Sequence, residues 1–406
     1  MNAATGHADQ NPLDPPGETP TAVAAPAGAA TAAAGLVGAP VPPRSHVRFT
    51  GSGGEYFRIW VVNLLLTLAS FGIYSAWAKV RKTRYFYQNT SVDGHAFDYH
   101  GAPLAILRGR MVAVVLLIAY TWSFDISRTL GLVTIAVLCL AGPWLFMKAQ
   151  QFKFRNSSWR GLRFGFDGSL RVAYRTLLPL LLIWFSGTIL GAFLVPEVLV
   201  LVGVLPGILL PLMHHTLKRY QHSRVSYGNV GAAFRPAVGR FYGVYIKALL
   251  LLIVTVAVGS VLAFGASWAL NSVRAALALE GHLNQQTTAM VIGGTVGAIG
   301  YVGVWPYFST RLQQIVWGNT QLGLVRFETR IRAWPLLRLV LKCVLLTVLT
   351  LGLFWPYAAV ALARYRIECM DVIAPAVLGD AVAEVTASTV ATGEGAADLF
   401  GLDVGL

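Results

Sequence analysis

The run FRNSSWRGLRFGF, residues 154–166, decides the architecture of this chain. It begins as a helix end, passes through a polar Asn156-Ser157-Ser158, turns at Arg160-Gly161 and leaves as Leu162-Arg163-Phe164-Gly165-Phe166. Strict alternation after a glycine turn is a β-hairpin signal. Three further stretches match it: YQNTSVDG from Tyr87, QHSRVSYG from Gln221 and WGNTQLGL from Trp317. Asn89, Asn156, Ser223 and Asn319 then stand at equivalent places, with Gly94, Gly161 and Gly228 at the turns. The spacings are 67, 67 and 96, so the third unit carries an insertion, most simply around Asn271 to Thr288. The repeated Asn suits a cap that ties the strand to the helix before it. One isolated hairpin is marginal in water, but four together can form a small sheet.

Outward from these hairpins the chain turns apolar. Of 406 residues, 55% are hydrophobic and only 12% charged, which points to a membrane protein. Every Lys and Arg lies between Arg44 and Arg366, and the flanks beyond are acidic. Residues 1–46 are Ala, Pro and Gly rich and read as a disordered tail, with no basic and then apolar start of a cleaved leader. Residues 371–406 read as a second flexible acidic tail. Between them, 47–370 is expected to be a polytopic membrane domain carrying four cytoplasmic hairpins, at about 80–110, 148–175, 215–247 and 309–342. Cys139, Cys343 and Cys369 have neither CxxC nor His spacing, which argues against structural zinc and a disulfide framework.

A bilayer core needs about 20 apolar residues in a helix. The candidates are Ile59 to Ala78, Met111 to Phe124, Leu130 to Phe146, Leu177 to Val195, Val198 to Met213, Val244 to Leu270, Met290 to Phe308 and Leu339 to Leu362. Four intervening loops hold six, seven, six and six Lys plus Arg, whereas the other loops hold only Arg128 and Arg274. By the positive-inside rule the basic loops are cytoplasmic. Trp77, Trp144, Trp305 and Trp355 sit just before those loops, where an interfacial aromatic belt belongs.

The first and last segments align without a gap: RIWVVNLLLTLASFGIYSAWAKVRKTRY from Arg58 and RLVLKCVLLTVLTLGLFWPYAAVALARY from Arg338. Each has a glycine fourteen residues after its Arg, at Gly72 and Gly352, which suits a helix C-cap and a second short helix. Two readings stay open. Bent spans are the commoner object, but re-entrant hairpins would place 30 rather than 25 of the 32 basic residues in the cytoplasm.

The block GIYSAWAKVRKTRYFYQNT, within GEYFRIWVVNLLLTLASFGIYSAWAKVRKTRYFYQNTSVDGHAFDYHGAP, and the later RNSSWRGLRF resemble the YjgN family of bacterial inner-membrane proteins. The resemblance covers roughly Gly51 to Met370. It implies a multi-pass protein of the bacterial inner membrane and, as a hint, a membrane metallopeptidase as partner. It implies no reaction, cofactor or catalytic residue.

Other constellations are weak. Asp93, His95, Asp98 and His100 could bind a metal, but they do not recur in the other units and fit a polar strand face better. His214-His215 cannot chelate together as an i, i+4 pair would. Gly187 and Gly191, then Gly293, Gly297 and Gly300, read as close helix packing. Asn63 and Thr67 are merely polar, so no buried charge marks an ion path. Protease and hydrolase motifs are absent.

The expected fold is therefore an all-α polytopic membrane protein with a small cytoplasmic β assembly built from four repeated hairpins. The repeat-defining residues are Asn89, Asn156, Ser223, Asn319, Gly94, Gly161, Gly228, Gly72 and Gly352. The expected role is non-enzymatic, organising membrane lipids or a membrane protein partner through a basic cap, with no cofactor, metal or nucleic acid. The alternative is a transporter or channel for a small anionic solute.

Overall fold

The computed structural model describes residues 43–191, 193, 196–276 and 285–374. The tail readings for 1–42 and 375–406 lie outside the described residues, as does 277–284 of the expected insertion. Five similar units follow one another. β1 (Arg44–His46) and β2 (Arg48–Phe49), parted only by Val47, lead into α1 (Gly53–Ala69), and α2 (Ser75–Gln88) returns to β3 (Thr90–Val92). β4 (His95–Tyr99) leads into α3 (Pro103–Ile126), and α4 (Arg128–Arg155) returns to β5 (Ser157–Trp159). β6 (Leu162–Phe166) leads into α5 (Leu170–Gly191), and α6 (Pro196–His222) returns to β7 (Val225–Tyr227). β8 (Val230–Phe234) leads into α7 (Val238–Ala276), and α8 (Gln285–Gly318) returns to β9 (Thr320–Leu322). β10 (Val325–Thr329) leads into α9 (Ala333–Leu349), and α10 (Trp355–Glu368) returns to β11 (Met370–Ile373).

From β2 to β11 every strand pairs antiparallel with its neighbour in sequence, and β1 pairs with β11, giving the order β1-β11-β10-β9-β8-β7-β6-β5-β4-β3-β2. The segment 44–49 stands at both ends of that order. Its first half pairs with β11, Arg44 opposite Ile373 and His46 opposite Asp371, and its second half pairs with β3, Arg48 opposite Ser91. The ladder is therefore circular. One continuous core fills the ring, formed by Val47, Phe49, Val92, Phe97, Trp159, Phe164, Tyr227, Val230, Leu322, Val325, Phe327, Met370 and Val372. Closure removes the exposed edges that an open sheet of such short strands would present to other chains.

This overturns the expected fold class. The protein is not all-α, and four hairpins do not make its sheet. β1 and all but the first residue of β11 complete the ring from stretches that sequence assigned to flanks, β2 adds to it from just inside the expected membrane domain, and the unit is a strand, a helix pair and a strand, five times over. The four hairpins are only the junctions between consecutive units.

Because neighbouring strands alternate in direction, all five helix pairs leave from one rim and all four tight turns lie on the other. The two ends of the described segment meet on the turn side, where Ala374 N donates to Pro43 O at 2.8 Å. The helices also close on themselves. Arg364 Nη2 donates to Gly51 O at 2.7 Å, Phe57 and Tyr357 rings lie 5.7 Å apart, and a Cβ on Gly53 would meet Tyr357 at 2.4 Å, joining α10 to α1.

Among the described residues four helices are long and apolar enough to cross a membrane: α3, α4, α5 and the Val238–Ala269 part of α7. The two outer pairs are built differently. α1 runs 17 residues and α2 14, about 25 and 21 Å at the usual rise, and their far ends both return to the ring. The tight turn between them has Phe71 at φ 49° and Gly72 at φ 90°, with Gly72 N donating to Thr67 O at 2.8 Å. The α9–α10 turn repeats it, with Leu351 at φ 50°, Gly352 at φ 93° and Gly352 N on Thr347 O at 2.7 Å. Both are helical hairpins, not single bent spans. Their tips are apolar and bare, Phe71 being 98% and Leu351 95% exposed.

Candidate functional site

The residue after each outgoing strand donates its backbone N–H to the carbonyl that ends the returning helix. Thr50 donates to Asn89, His100 to Asn156, Asp167 to Arg224, Arg235 to Asn319 and Arg330 to Cys369, at 2.7–2.9 Å. This fivefold bond sets the true register of the units. Asn89, Asn156 and Asn319 take their place in it, and each side-chain amide caps its own helix by donating to Tyr85, Phe152 and Ile315 O at 2.8, 2.8 and 2.6 Å. Ser223 does not: α6 has one extra residue before its strand, and Arg224 holds the equivalent carbonyl. Cys369 is the fifth member, unnoticed in sequence because it lacks the amide.

The turns follow the same shift. Asp93-Gly94 and Arg160-Gly161 have positive φ at both residues, the type I′ geometry, whereas Gly228 and Gly323 come first in their turns, at φ 56° and 57°, as type II′ requires. Gly228 is thus the partner of Gly323, not of Gly94.

In this register an arginine falls eight residues after the donor position in four of five outgoing helices: Arg58, Arg108, Arg175 and Arg338. All four are exposed, near the ring end of α1, α3, α5 and α9. Arg338 lies over the Trp334 ring at 5.7 Å; Arg171 and Lys342 add exposed cations on α5 and α9, and Arg240 and Lys247 do so on α7. Together they make a positive girdle where the helices leave the barrel.

The returning helices form an inner layer by touching one another in turn. Val80 of α2 packs with Phe152 of α4, Phe146 of α4 lies 6.2 Å from Tyr220 of α6, and His222 of α6 lies 5.5 Å from Trp317 of α8. Gln313 of α8 and Arg366 of α10 are doubly joined, Arg366 Nε donating to Gln313 Oε1 at 2.9 Å and Gln313 Nε2 to Arg366 O at 3.2 Å. Thirteen residues before the shared carbonyl come Ala76, Pro143, Pro211, Pro306 and Pro356. Inside α4, α6 and α8 that proline leaves one helix hydrogen bond unmade, whereas Pro356 sits in the first turn of α10, where its missing N–H costs nothing.

Below those prolines the inner layer buries polar groups: Gln150, His215, Lys218, Gln221, Thr310 and Gln313 are each under a tenth exposed. His214, Lys218 and His222 form a stripe at i, i+4 and i+8 lying along α8, His214 near Phe308 and His222 against Trp317. His222 Nδ1 meets Thr320 Oγ1 at 3.1 Å, and that hydroxyl donates to Val316 O, so by this hydrogen bonding Nδ1 carries the proton. Burial, then Lys218, then Lys153 lower the His222 pKa to about 3. The ring stays neutral at physiological pH beside two lysines. Burial also lowers the Arg366 guanidinium from its usual value.

The remaining candidates separate. His100 Nε2 lies 2.9 Å from Ser158 Oγ and its Nδ1 3.8 Å from Asp98, on the rim outside the barrel. Among the described residues no three His, Cys, Asp or Glu side chains come together as a metal group. His214 Nδ1 meets Tyr245 OH at 2.8 Å, whereas His215 Nε2 accepts from Ala237 N at 3.2 Å, so the adjacent pair serves two neighbours. A Cβ on Gly300 would meet Leu252 at 3.2 Å, a close approach of α7 and α8, while one on Gly187, Gly293 or Gly297 would meet nothing within 4 Å. Asn63 is 7% exposed with Oδ1 unpartnered.

The family profile described as "Bacterial protein of unknown function (DUF898)" matches residues 44–399. Among curated proteins, Inner membrane protein YjgN of Salmonella typhimurium is 34% identical over 137 residues, 33% of this chain and 35% of that protein. Inner membrane protein YjgN of Escherichia coli K12 is 34% identical over 155 residues, 37% of this chain and 38% of that protein. The matched stretches thus span little more than a third of those relatives. No solved structure matches the chain.

Proposed function

The chain belongs to the DUF898 family of bacterial proteins of unknown function and is a multi-pass protein of the inner membrane, and from that premise we propose that it is a non-enzymatic module that organises anionic lipids around a cytoplasmic barrel. The observation that carries this is the girdle of Arg58, Arg108, Arg175 and Arg338, exposed at one level on four outgoing helices. That level is where helices pass from barrel to bilayer, so the guanidiniums meet lipid phosphates. Arg is suited to the task because its planar fork binds phosphate oxygens in pairs. Each cation near an anionic leaflet contributes about 1 kcal/mol. The apolar tips at Phe71 and Leu351 fit the same role, anchoring two hairpins in the membrane without crossing it.

The alternative of a conduit along the barrel axis is disfavoured by the barrel itself, whose lumen is filled by Trp159, Tyr227, Val325 and their neighbours. The test is lipid selectivity in native nanodiscs cut from membranes. Anionic phospholipid should be enriched around the wild type over the bulk membrane, and a variant with all four arginines changed to Gln should lose that enrichment while keeping its fold. Equal lipid composition around both proteins would overturn the proposal.

A further inference from the structure

The two outer hairpins differ from the other three helix pairs in how far they reach. From Arg58 to the end of α1 at Ala69, and from Arg338 to the end of α9 at Leu349, is about 17 Å of helix, whereas Arg108 to the end of α3 at Ile126 is about 27 Å. The hydrocarbon of a bilayer is about 30 Å thick, so α3 reaches its far side and the hairpins end near its midplane.

The hairpin turns are finished for that place. In apolar surroundings every backbone N–H needs a partner within the protein. The N–H groups of residues 70–75 all find one inside their own hairpin: five donate to carbonyls at 2.8–3.2 Å, and Tyr74 donates to Ser70 Oγ at 2.9 Å. Residues 350–355 repeat the set, with five carbonyls at 2.7–3.1 Å and Phe354 donating to Thr350 Oγ1 at 3.0 Å. No Lys, Arg, Asp or Glu occurs between Arg58 and Lys79 or between Lys342 and Arg364. Phe71 and Leu351 are 98% and 95% exposed, so no described part of the chain lies over either tip.

The hairpins are also neighbours, joined where Arg364 and Tyr357 of α10 meet Gly51 and Phe57 at the start of α1. Two adjacent units of the ring therefore put four helices into the leaflet on the barrel side and none through the other. At about 10 Å per helix diameter, this adds roughly 300 Å² of protein cross-section to one leaflet only. Apolar insertions confined to one leaflet respond to membrane curvature.

We propose that α1–α2 and α9–α10 form a one-sided wedge through which the protein recognises, and gathers on, membrane that bulges toward its barrel. The partner is a lipid surface defined by its curvature. The wedge depends on the membrane placement proposed above but not on the arginine girdle, because it needs no anionic lipid.

A thin tube pulled from a giant vesicle of neutral phosphatidylcholine, holding fluorescently labelled full-length protein, tests it apart from lipid charge. An impermeant quencher shows which way the barrel faces. Facing outward, the protein should be enriched more than twofold in the tube over the flat membrane; facing inward, it should be depleted. The double variant Phe71→Asp with Leu351→Asp should lose this sorting. A charge at each tip is expelled from hydrocarbon, while Asp accepts the φ of 49° and 50° at these bare positions, so the barrel is kept. Equal wild-type density in tube and vesicle would overturn the proposal, as would sorting that the double variant retains, which assigns it to crowding by the barrel. Should the double variant not fold, Phe71→Trp reports the depth of the tip: quenching strongest by lipids brominated near the midplane supports the wedge, and quenching strongest at the far interface overturns it.

Discussion

Removing the Asp371 carboxylate should open the barrel at one seam. Asp371 sits in β11 between β1 and β10, its side chain 3% exposed. It accepts from Arg330 Nε at 2.9 Å, from Arg330 Nη2 at 2.9 Å and contacts His46 Nδ1 at 2.6 Å. One carboxylate thus joins the strand that closes the ring to the two strands beside it. Its partners are 60% and 58% exposed, so both regain water when the acid is lost. The cost is then that of the charge-assisted bonds, about 2–3 kcal/mol, below the ~3–5 kcal/mol of breaking a fully buried pair. At about 1.4 kcal/mol per factor of ten, Asp371→Ala should speed hydrogen exchange at the seam roughly 30- to 150-fold. The amides to follow are Val47, which donates to Met370 O, and Ala374, which donates to Pro43 O. Amides of β5 and β6, across the ring, should change little. Acceleration of equal size at β5 and β6, or none at the seam, would refute the idea that this carboxylate clasps a closed ring.

Three other outcomes are expected. Gly72→Ala and Gly352→Ala place a side chain at φ 90° and 93° where no atom lies within 4 Å, so each should cost about 1–2 kcal/mol from backbone strain alone and lower the unfolding temperature. His222 has a folded pKa of about 3 against the ordinary 6.5, so the folded state binds fewer protons and stability present above pH 6.5 falls as pH drops, by about 1.4 kcal/mol per unit. His222→Gln should flatten that part of the denaturation midpoint's fall between pH 6.5 and 4, and equal slopes would contradict the assignment. A cysteine at Phe71 or Leu351 should resist a membrane-impermeant maleimide added from the periplasm, whereas ready labelling would mean that these hairpins cross.

Membrane residence and the turns at Gly94 and Gly161 could be read from sequence because each rests on local composition or a residue's own φ. The ring could not. Its closing bond pairs His46 with Asp371, 325 residues apart, and the strands involved are two to four residues long, too short to alternate visibly. β1 also begins inside a flank whose Pro and Ala content reads as a tail. The fifth unit was hidden because Cys369 replaces the amide that marks three of the others, and because no hairpin follows it. One extra residue at the end of α6 made Ser223 look equivalent when Arg224 holds the place. The arginine girdle was half visible, since Arg58 and Arg338 head the two segments that align without a gap, but Arg108 and Arg175 emerge only once the strands set the register. The buried polar layer left no motif, because its members come from different helices at mixed residue types.

The central claim is that residues 44–49 close the ring, and a cross-link tests it most directly. Arg44 and Ile373 are paired across the seam, at a separation that suits a disulfide. With Cys139, Cys343 and Cys369 replaced by Ala, the double variant Arg44→Cys with Ile373→Cys should oxidise under mild copper phenanthroline in membrane vesicles. Non-reducing peptide mass spectrometry should then recover the two segments as one disulfide-linked species within a single chain. Failure to form that link, while a control pair at Phe97 and Trp159 in β4 and β5 forms readily, would show that the sheet is open.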